Sequence, residues 1–354
     1  MNSEGPSLTP RSPVYIMLTS KFTRYILQKL GWYLLAFLIA VSLNFFLPRL
    51  IPGNPVRVLI SKLAEGGVQS DALARIYDNY MREFGLDQPV YIQFLKYFGG
   101  LFRGDLGTSF MLYPGKVADL IKEALPWTVA LQIPTILVGW IIGNIVGAVC
   151  AYKGGRFDAV VFTSALAVSN VPYYCLAILL LYGLAVHNPV FPVGGGYSFG
   201  SYPELSWSFF WDALYHYTLP FLSMIVVAIG GQAIGMREMA LYELTTDYVH
   251  YSKALGLRDQ KVVRYVFRNA MLPQITGLAI SFGTMMGGAL VTESVFSYPG
   301  IGSLLFTAIR QTDYPLIQGC TLIITVAVLL ANFLVDIAYG FIDPRIRAAQ
   351  LGER

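Results

Sequence analysis

Six stretches of this sequence, each at least 19 residues long, contain no Asp, Glu, Lys or Arg. Since about 20 apolar residues cross the hydrocarbon core of a bilayer, each stretch is long enough to be a transmembrane helix. The composition agrees, because 13% of the residues are charged, against about 25% in a soluble domain. The sequence therefore predicts an all-α polytopic membrane protein whose six spans lie near residues 28–48, 126–151, 159–186, 213–236, 273–293 and 315–339.

The Lys and Arg residues predict how the chain crosses the membrane. With a cytoplasmic N-terminus, most Lys and Arg outside residues 49–125 fall in cytoplasmic segments, and the two short outer loops hold only Arg310. Positive charge in short loops stays on the cytoplasmic side, so both termini are predicted to be cytoplasmic. The net charge of +4 fits loops that face anionic lipid and does not indicate nucleic-acid binding. The predicted regions are a cytoplasmic extension (1–24), one transmembrane domain (25–341) and a cytoplasmic tail (342–354).

The long segment between the first two spans, residues 49–125, is called the outer segment below. Apolar residues at helical spacing predict two amphipathic helices in it, at 71–84 and 91–102. Amphipathic helices with aromatic faces commonly lie in the membrane interface. We therefore expect a folded element on the extracytoplasmic face, either a passive cap or a docking site for a partner.

The sequence contains no motif for bond chemistry. The nucleotide-binding loop GxxxxGK[ST] is missing, as are HExxH, CxxC and GxSxG. His187, His216 and His250 are far apart in sequence, and the three Cys residues fall inside predicted spans, where a lone Cys is most often a small apolar residue. We therefore expect no catalytic residue, no metal site and no cofactor in this chain.

Ionisable residues are absent from the middles of the predicted spans. Glu293 lies at an outer span end and Asp336 near an inner one, where solvent or headgroups are expected to reach them, and His216 lies near the outer start of span four. Because charge at mid-membrane is costly and is kept for function, this pattern argues against an ion-coupled carrier. Small residues are frequent instead, as in GWIIG and GNIVG of the second span, and they favour close helix packing along a possible glycine-lined path.

The loop between the fourth and fifth spans, residues 237–272, is called the inner loop below. A short helix is predicted after Thr245 and Thr246, because Thr and Asp are N-cap residues, and Gly256 is placed to end it in the left-handed conformation. A second, basic amphipathic helix is expected from Asp259 to Pro273, where the fifth span begins. One side of the short helix is predicted to carry Tyr248, Tyr251, Ser252 and Leu255.

The inner loop has two interpretations. A solvated connector explains the basic residues, but an apolar-tipped helix held off the membrane favours insertion into a groove on a partner protein. The predicted docking residues are Asp247, Tyr248, Tyr251, Ser252, Lys253, Ala254, Leu255, Gly256 and Leu257. The predicted hinge into span five consists of Arg268, Asn269 and Pro273.

The inner loop also resembles a known family. DYVHYSKALGL, followed by FRNAMLP, is similar to the coupling-helix region of the membrane-spanning subunits of ABC-type importers, specifically of the oligopeptide/dipeptide permease family. His250, Tyr251 and Ser252 stand where the wider superfamily has Glu-Ala-Ala. The resemblance covers about residues 25–347, through four further stretches in the family's order: FLPRLIPGNPV, FGLDQPVYIQFLKYFGGLFRGDLGTSF, TESVFSYPGIGSLLFTAIRQTDYPLIQG and DIAYGFIDPRIR.

The resemblance implies a type I ABC importer permease with six transmembrane helices in the plasma (inner) membrane of a prokaryote. It implies a second, homologous permease subunit, two cytoplasmic ATPase subunits that bind ATP and Mg, and an extracytoplasmic binding protein that delivers the cargo. Spans two to five are then expected to form the path, and peptides are the implied cargo, with oligosaccharides or nickel as alternatives in the same family. The alternative from another class is a self-contained channel or a secondary carrier.

Overall fold

The computed structural model describes residues 20–50, 55–65 and 70–342, so the predicted extension and tail lie almost wholly outside the described residues. The described part is helical, and its one isolated β-bridge joins Thr108 to Lys116. The helices are α1 (Ser20–Arg49), α2 (Pro55–Glu65), α3 (Ser70–Glu83), α4 (Val90–Leu101), α5 (Val117–Lys153), α6 (Gly155–Ser169), α7 (Tyr173–Leu181), α8 (Trp207–Leu244), α9 (Asp247–Ala254), α10 (Asp259–Val295), α11 (Ile301–Gln311) and α12 (Tyr314–Ile342).

Four of the described helices, α1, α5, α8 and α12, are long and apolar enough to cross a membrane. They contain the predicted spans near 28–48, 126–151, 213–236 and 315–339, which are thereby confirmed as span-length helices. The predicted span near 273–293 lies inside α10, which has 37 residues but is not among the four. At 1.5 Å per residue α10 is about 55 Å long, so it joins two distant ends of the helix bundle.

The predicted span near 159–186 is not one straight helix. It is broken into α6 and α7, whose axes meet at 91°, and α7 runs on into a π-helical turn, Tyr182–His187. The break lies at Asn170–Pro172, where Asn170 Nδ2 donates to Leu166 O at 2.7 Å and Pro172 precedes the first residue of α7. The residue before a proline avoids the helical conformation, so α6 ends there. By length and composition the pair is a broken span or a re-entrant loop.

The close packing predicted from the small residues of the second span is confirmed between α5 and α8. Gly139, Gly143 and Gly147 are all buried and face α8. A Cβ on Gly143 would lie 2.5 Å from the Cβ of Gln232 and 2.8 Å from the carbonyl oxygen of Ile229. A side chain at this position would therefore separate the two helices, since interfaces of this kind depend on close approach of the backbones.

The two helices predicted in the outer segment are confirmed as α3 and α4. The segment is joined to the rest of the molecule by Asp313, which is fully buried just before α12. Its Oδ2 accepts hydrogen bonds from Ser109 Oγ at 2.5 Å and from Met111 N at 3.1 Å. Because these residues are some 200 positions from Asp313, the contact fixes the outer segment against the last long helix.

Candidate docking surface and transport path

Helix α9 is the short helix predicted in the inner loop. It begins after Thr246, whose hydroxyl donates to a carbonyl oxygen of the preceding turn at 2.5 Å. At its other end Gly256 N donates to Lys253 O at 2.9 Å, and Leu257 N donates to Ser252 O at 3.2 Å. With a φ of 71° at Gly256, these two bonds form a Schellman motif, which ends the helix in the left-handed conformation. The predicted helix and its glycine end are confirmed.

One side of α9 is anchored to the bundle. Val249 is fully buried, Ser252 is buried beside it, and the hydroxyl of Tyr248 donates to Glu243 Oε2 at 2.7 Å. Burial, together with this bond to a carboxylate, raises the pKa of the Tyr248 phenol. Val249 belongs to an apolar cluster, called the anchor cluster below, with Ala151, Met236, Ala240, Val262, Val266 and Ala270. Since these residues come from α5, α8 and α10, α9 is held by three long helices at once.

The opposite side of α9 is exposed. Tyr251 and Leu255 are 67% and 62% exposed, although both are large side chains with apolar surface. Six of the nine predicted docking residues lie on this side or at its tip, and together they are called the docking surface: Asp247, Tyr251, Lys253, Ala254, Leu255 and Gly256. Of the other three, Tyr248 and Leu257 pack against the anchor cluster, and Ser252 is buried.

Tyr248, Tyr251, Ser252 and Leu255 are spaced i, i+3, i+4 and i+7 and so lie on one side of the helix, as predicted, but only part of that side is exposed. With 3.6 residues per turn, neighbours such as Tyr251 and Ser252 point about 100° apart. Tyr248 and Ser252 form one pair spaced by four residues, which packs inward, and Tyr251 and Leu255 form another, which is exposed.

The basic helix that follows α9 is the first part of α10. Val262, Val266 and Ala270 are buried in the anchor cluster, whereas Arg264 and Arg268 are exposed, so the predicted amphipathic pattern is confirmed. This segment continues without interruption into the second half of α10. Displacement of the anchor cluster would therefore be passed directly along one helix.

The predicted hinge residues lie inside this continuous helix. Arg268, Asn269 and Pro273 are all exposed, and α10 runs through Pro273. Because proline has no N–H, the helix lacks the hydrogen bond that would end on the carbonyl of Asn269, and such a position bends more readily. Beside it, Trp140 Nε1 of α5 donates to Gln274 O at 2.9 Å. No contact decides whether the chain hinges here, so the hinge stays a prediction.

A small, partly open cavity of about 150 Å³ lies where α5, α8, α10 and the break between α6 and α7 meet. Its wall includes the aromatic rings of Trp140 and Tyr173 and the polar side chains of Ser169, Gln232 and Ser281. Gln232 Nε2 lies 3.4 Å from Ser281 Oγ, so neither group is strongly engaged by the other. The uncharged polar side chains of Ser169, Gln232 and Ser281 thus line this cavity, although the helices that carry them are mostly apolar.

The far end of α10 is closed by a buried carboxylate. Glu293 is fully buried, and its Oε2 accepts a hydrogen bond from Gly302 N in the first turn of α11 at 2.7 Å. Next to it, Ile301 N donates to Thr128 Oγ1 of α5 at 2.8 Å. A helix N-terminus favours negative charge, which offsets part of the cost of burying the carboxylate. The expectation that solvent or headgroups reach Glu293 is wrong.

Asp336 and His216 lie near helix ends, as expected from the sequence. The carboxylate of Asp336 accepts from Lys29 Nζ at 2.9 Å and from Tyr33 Oη at 2.8 Å, which joins α12 to α1. His216 Nδ1 lies 2.9 Å from the carbonyl oxygen of Asp212, one turn earlier in α8. Among the residues that the structure describes, no three His, Cys, Asp or Glu side chains are grouped so that they could hold a metal ion.

Two features were missed by the sequence reasoning. The sequence did contain a signal for the break at Asn170–Pro172. Pro172 lies in the middle of the predicted span 159–186, and a proline interrupts a helix. The burial of Glu293 had a weaker sequence signal in the stretch SYPGIGS, because its glycines let this segment approach the carboxylate closely. A Cβ on Gly300 would lie 2.6 Å from Glu293 Oε1.

Long apolar helices, a short helix that is buried on one side and exposed on the other, and a polar cavity between the long helices are the features that the known families can be compared with. A model of the binding-protein-dependent transport system inner membrane component family matches residues 143–348, more than half of the chain. This chain belongs to that family, whose members are the non-catalytic, multi-pass inner-membrane subunits of ABC importers and act with further ABC transporter subunits.

Curated relatives are similar over nearly their whole length. The chain is 33% identical to a probable D,D-dipeptide transport system permease protein of Escherichia coli, over 91% of this chain and 97% of the relative. It is 33% identical to a di/tripeptide transport system permease protein of Pseudomonas aeruginosa, over 91% and 98%. It is 29% identical to an oligopeptide transport system permease protein of Bacillus subtilis, over 86% and 93%.

Proposed function

We propose that this chain forms one half of the translocation path of an ATP-driven importer of peptides. The other half is a second, homologous permease subunit. Of the two cytoplasmic ATPase subunits, which bind ATP and Mg, one docks on α9, and an extracytoplasmic binding protein delivers the cargo. Peptides are favoured over oligosaccharides or nickel because the three relatives described above are named as permeases for dipeptides, di- and tripeptides, or oligopeptides.

The observation that best supports this proposal is that α9 is packed against the bundle on one side and exposed on the other. An exposed tyrosine and an exposed leucine on a short helix with a fixed C-terminal end suit a hydrophobic groove on a partner, and tyrosines often contribute strongly to such interfaces. The anchored side connects the same helix to α8 and α10 through Val249. A movement imposed on the docking surface would therefore reach the long helices rather than be absorbed by a loop.

The small cavity supports the need for a second permease subunit. Its volume of about 150 Å³ is well below the roughly 300–1,000 Å³ of typical small-molecule pockets. The polar groups of Gln232 and Ser281 could pair with backbone groups of a peptide, but this chain alone does not enclose one. We infer that the path is completed when a second subunit faces α5, α8 and α10.

The proposed orientation places both termini and α9 in the cytoplasm and the outer segment with α11 on the opposite face. It is supported by the Lys and Arg of the inner loop, including the exposed Arg258, Lys261 and Arg264, because basic residues in short loops stay cytoplasmic. Cysteine-accessibility labelling of intact cells tests it. A cysteine in place of exposed Tyr251 should react only after permeabilisation, and one in place of exposed Leu112 should react without it.

The docking role is tested by the variant Leu255→Asp in the full chain expressed with its companion subunits. A charged side chain at this exposed position should remove the ATPase subunits during purification and abolish peptide uptake in vesicles. The matched control is Gln260→Asp, which is also exposed, lies in the first turn of α10 and is outside the docking surface.

Three outcomes would contradict the proposal. The first is full co-isolation of the ATPase subunits with Leu255→Asp, and the second is an equal loss with Gln260→Asp. The third is peptide transport by the lone chain in vesicles without ATP, which would favour a self-contained channel or carrier.

A further inference from the structure

Arg49, at the end of α1, is held rigidly without a carboxylate partner. Its guanidinium carbon lies 3.5 Å from the centroid of the Phe45 ring. Nη1 donates to Phe45 O at 2.8 Å, and Nη2 donates to Gln93 Oε1 of α4 at 3.0 Å. Gln93 is itself fixed, because its Nε2 donates to Gln88 O at 2.8 Å. All of these partners are neutral.

The charge of Arg49 is therefore not compensated locally. Within residues 20–50, 55–65 and 70–342, the ion pairs are Lys29 with Asp336, His216 with Asp212, and Arg237 with Asp158, and none includes Arg49. A guanidinium has five N–H donors, of which these contacts use two. An arginine positioned in this way is prepared to bind a planar or tetrahedral oxyanion.

A cavity of about 480 Å³ opens onto Arg49, between the outer segment and the start of α12. Arg82 and Lys96 also line it, and both are exposed. The two carboxylates of the lining are engaged by neutral donors: Glu83 Oε1 accepts from Tyr113 Oη at 2.8 Å, and Asp105 Oδ1 accepts from Gly107 N at 2.9 Å. Three cations and two carboxylates line the cavity, so its net charge is positive by one, and Arg49 is the cation among them that is held in place by fixed neutral partners.

The position of the cavity indicates where the anion comes from. Helix α4, which supplies Gln93 and Lys96, has no buried residue. Tyr91, Leu95 and Phe102, in and just after α4, are 66%, 64% and 80% exposed. Apolar and aromatic side chains on such a face are typical of a helix lying at the level of the lipid headgroups. The cavity also adjoins the ends of α1 and α12, where spans leave the hydrocarbon core.

We propose that this cavity binds the phosphate of an anionic phospholipid headgroup, with the guanidinium of Arg49 as its principal ligand. Lys96 adds a second positive charge at the rim. The exposed apolar face of α4 lies beside the acyl chains. The lipid thereby joins the outer segment to α1 and α12 and holds this element at the membrane surface.

The test is lipid retention, measured by native mass spectrometry on the full chain purified with its co-isolating subunits. The probe is dioleoyl phosphatidylglycerol, compared with dioleoylglycerol, which lacks the phosphate. We expect retention of the phospholipid to fall about tenfold in Arg49→Gln, since a charge-assisted hydrogen bond contributes about 1.5 kcal/mol or more. The matched control is Arg310→Gln, an exposed arginine outside this cavity, which should retain lipid like the unchanged protein.

Two further measurements keep the test decisive. Lys96→Gln alters an exposed side chain at the rim, so it should fold normally and show a smaller loss than Arg49→Gln. Inorganic phosphate at millimolar concentration should not displace the lipid. Displacement by it would assign the cavity to a free anion and overturn the proposal.

Other results would overturn it as well. One is equal retention of dioleoylglycerol and phosphatidylglycerol, and another is an unchanged lipid count in both Arg49→Gln and Lys96→Gln. A third is weaker capture of the extracytoplasmic binding protein by Arg49→Gln with lipid retention unchanged, because the cavity would then be a protein-docking site.

Discussion

The two ends of α10 are held by different kinds of interaction. At the α9 end, Val249 packs in the apolar anchor cluster, and the large side chains of the docking surface are exposed. At the α11 end, the buried carboxylate of Glu293 accepts a hydrogen bond from Gly302 N, and beyond α11 the buried carboxylate of Asp313 accepts one from Ser109 Oγ of the outer segment. Apolar contacts tolerate small shifts and changes of shape, whereas a buried carboxylate loses much of its stabilisation when its donors move. The first end is therefore suited to move with a partner, and the second to resist movement.

The largest effect is expected at Asp313. Asp313→Ala removes the acceptor for Ser109 Oγ, Met111 N and Leu316 N. Because buried donors left without a partner cost about 1–3 kcal/mol each, we expect the free energy of unfolding to fall by about 3 kcal/mol. Titration of the purified chain with SDS measures it. The control is Asp87→Ala, an exposed carboxylate of the same segment, and a loss as small as that of the control would contradict the prediction.

Two variants of Glu293 separate the contribution of its hydrogen bond from that of its charge. Glu293→Ala leaves Gly302 N without its acceptor and should destabilise the chain by about 2 kcal/mol. Glu293→Gln keeps an oxygen at that position and should cost about 1 kcal/mol. The same SDS titration compares them, and equal losses would mean that the charge at the start of α11, rather than the hydrogen bond, holds this end.

At the other end, Val249→Ala should have a smaller effect than Asp313→Ala. It removes two fully buried methyl groups from the anchor cluster, and we expect a loss of about 2 kcal/mol. Val249→Ile adds a methylene to the same fully buried site and should cost about 1 kcal/mol, at the low end of overpacking, if the anchor cluster can shift to accept it. If Val249→Ala destabilised the chain as much as Asp313→Ala in the same titration, the contrast between the two ends would be lost.

The sequence predicted local features well and distant contacts poorly. The short helix α9 and its end at Gly256 depend on residues within a few positions, so N-cap and C′ preferences were sufficient. The burial of Glu293 depends on Gly302 and Thr128, which come from two other elements. Hydropathy places a lone carboxylate at a span end, and the glycines of SYPGIGS are only a weak sign that other segments close over it.

Predictions of which side of a helix is buried were less successful than those of local features and more successful than those of distant contacts. Which of the nine predicted docking residues pack inward was not predicted, because the anchor cluster is formed by α5, α8 and α10, and the eight residues of α9 do not contain that information. The direction of Val262 and Val266 was right because their spacing of four continues over several turns and leaves only one apolar side. Longer periodic patterns therefore predict faces more safely than short ones.

The smallest effect on stability, with a large effect on assembly, is expected for Tyr251→Ala. Tyr251 is 67% exposed, so the free energy of unfolding should change by less than about 0.5 kcal/mol. If the exposed ring enters a groove on an ATPase subunit, its loss should weaken co-isolation of that subunit about tenfold or more. Tyr242→Ala is the matched control, because Tyr242 is 68% exposed near the end of α8 and lies outside the docking surface. Equal co-isolation of the ATPase subunit with both variants would mean that the exposed side of α9 is a solvated connector. The two ends of α10 would then differ only in how they pack.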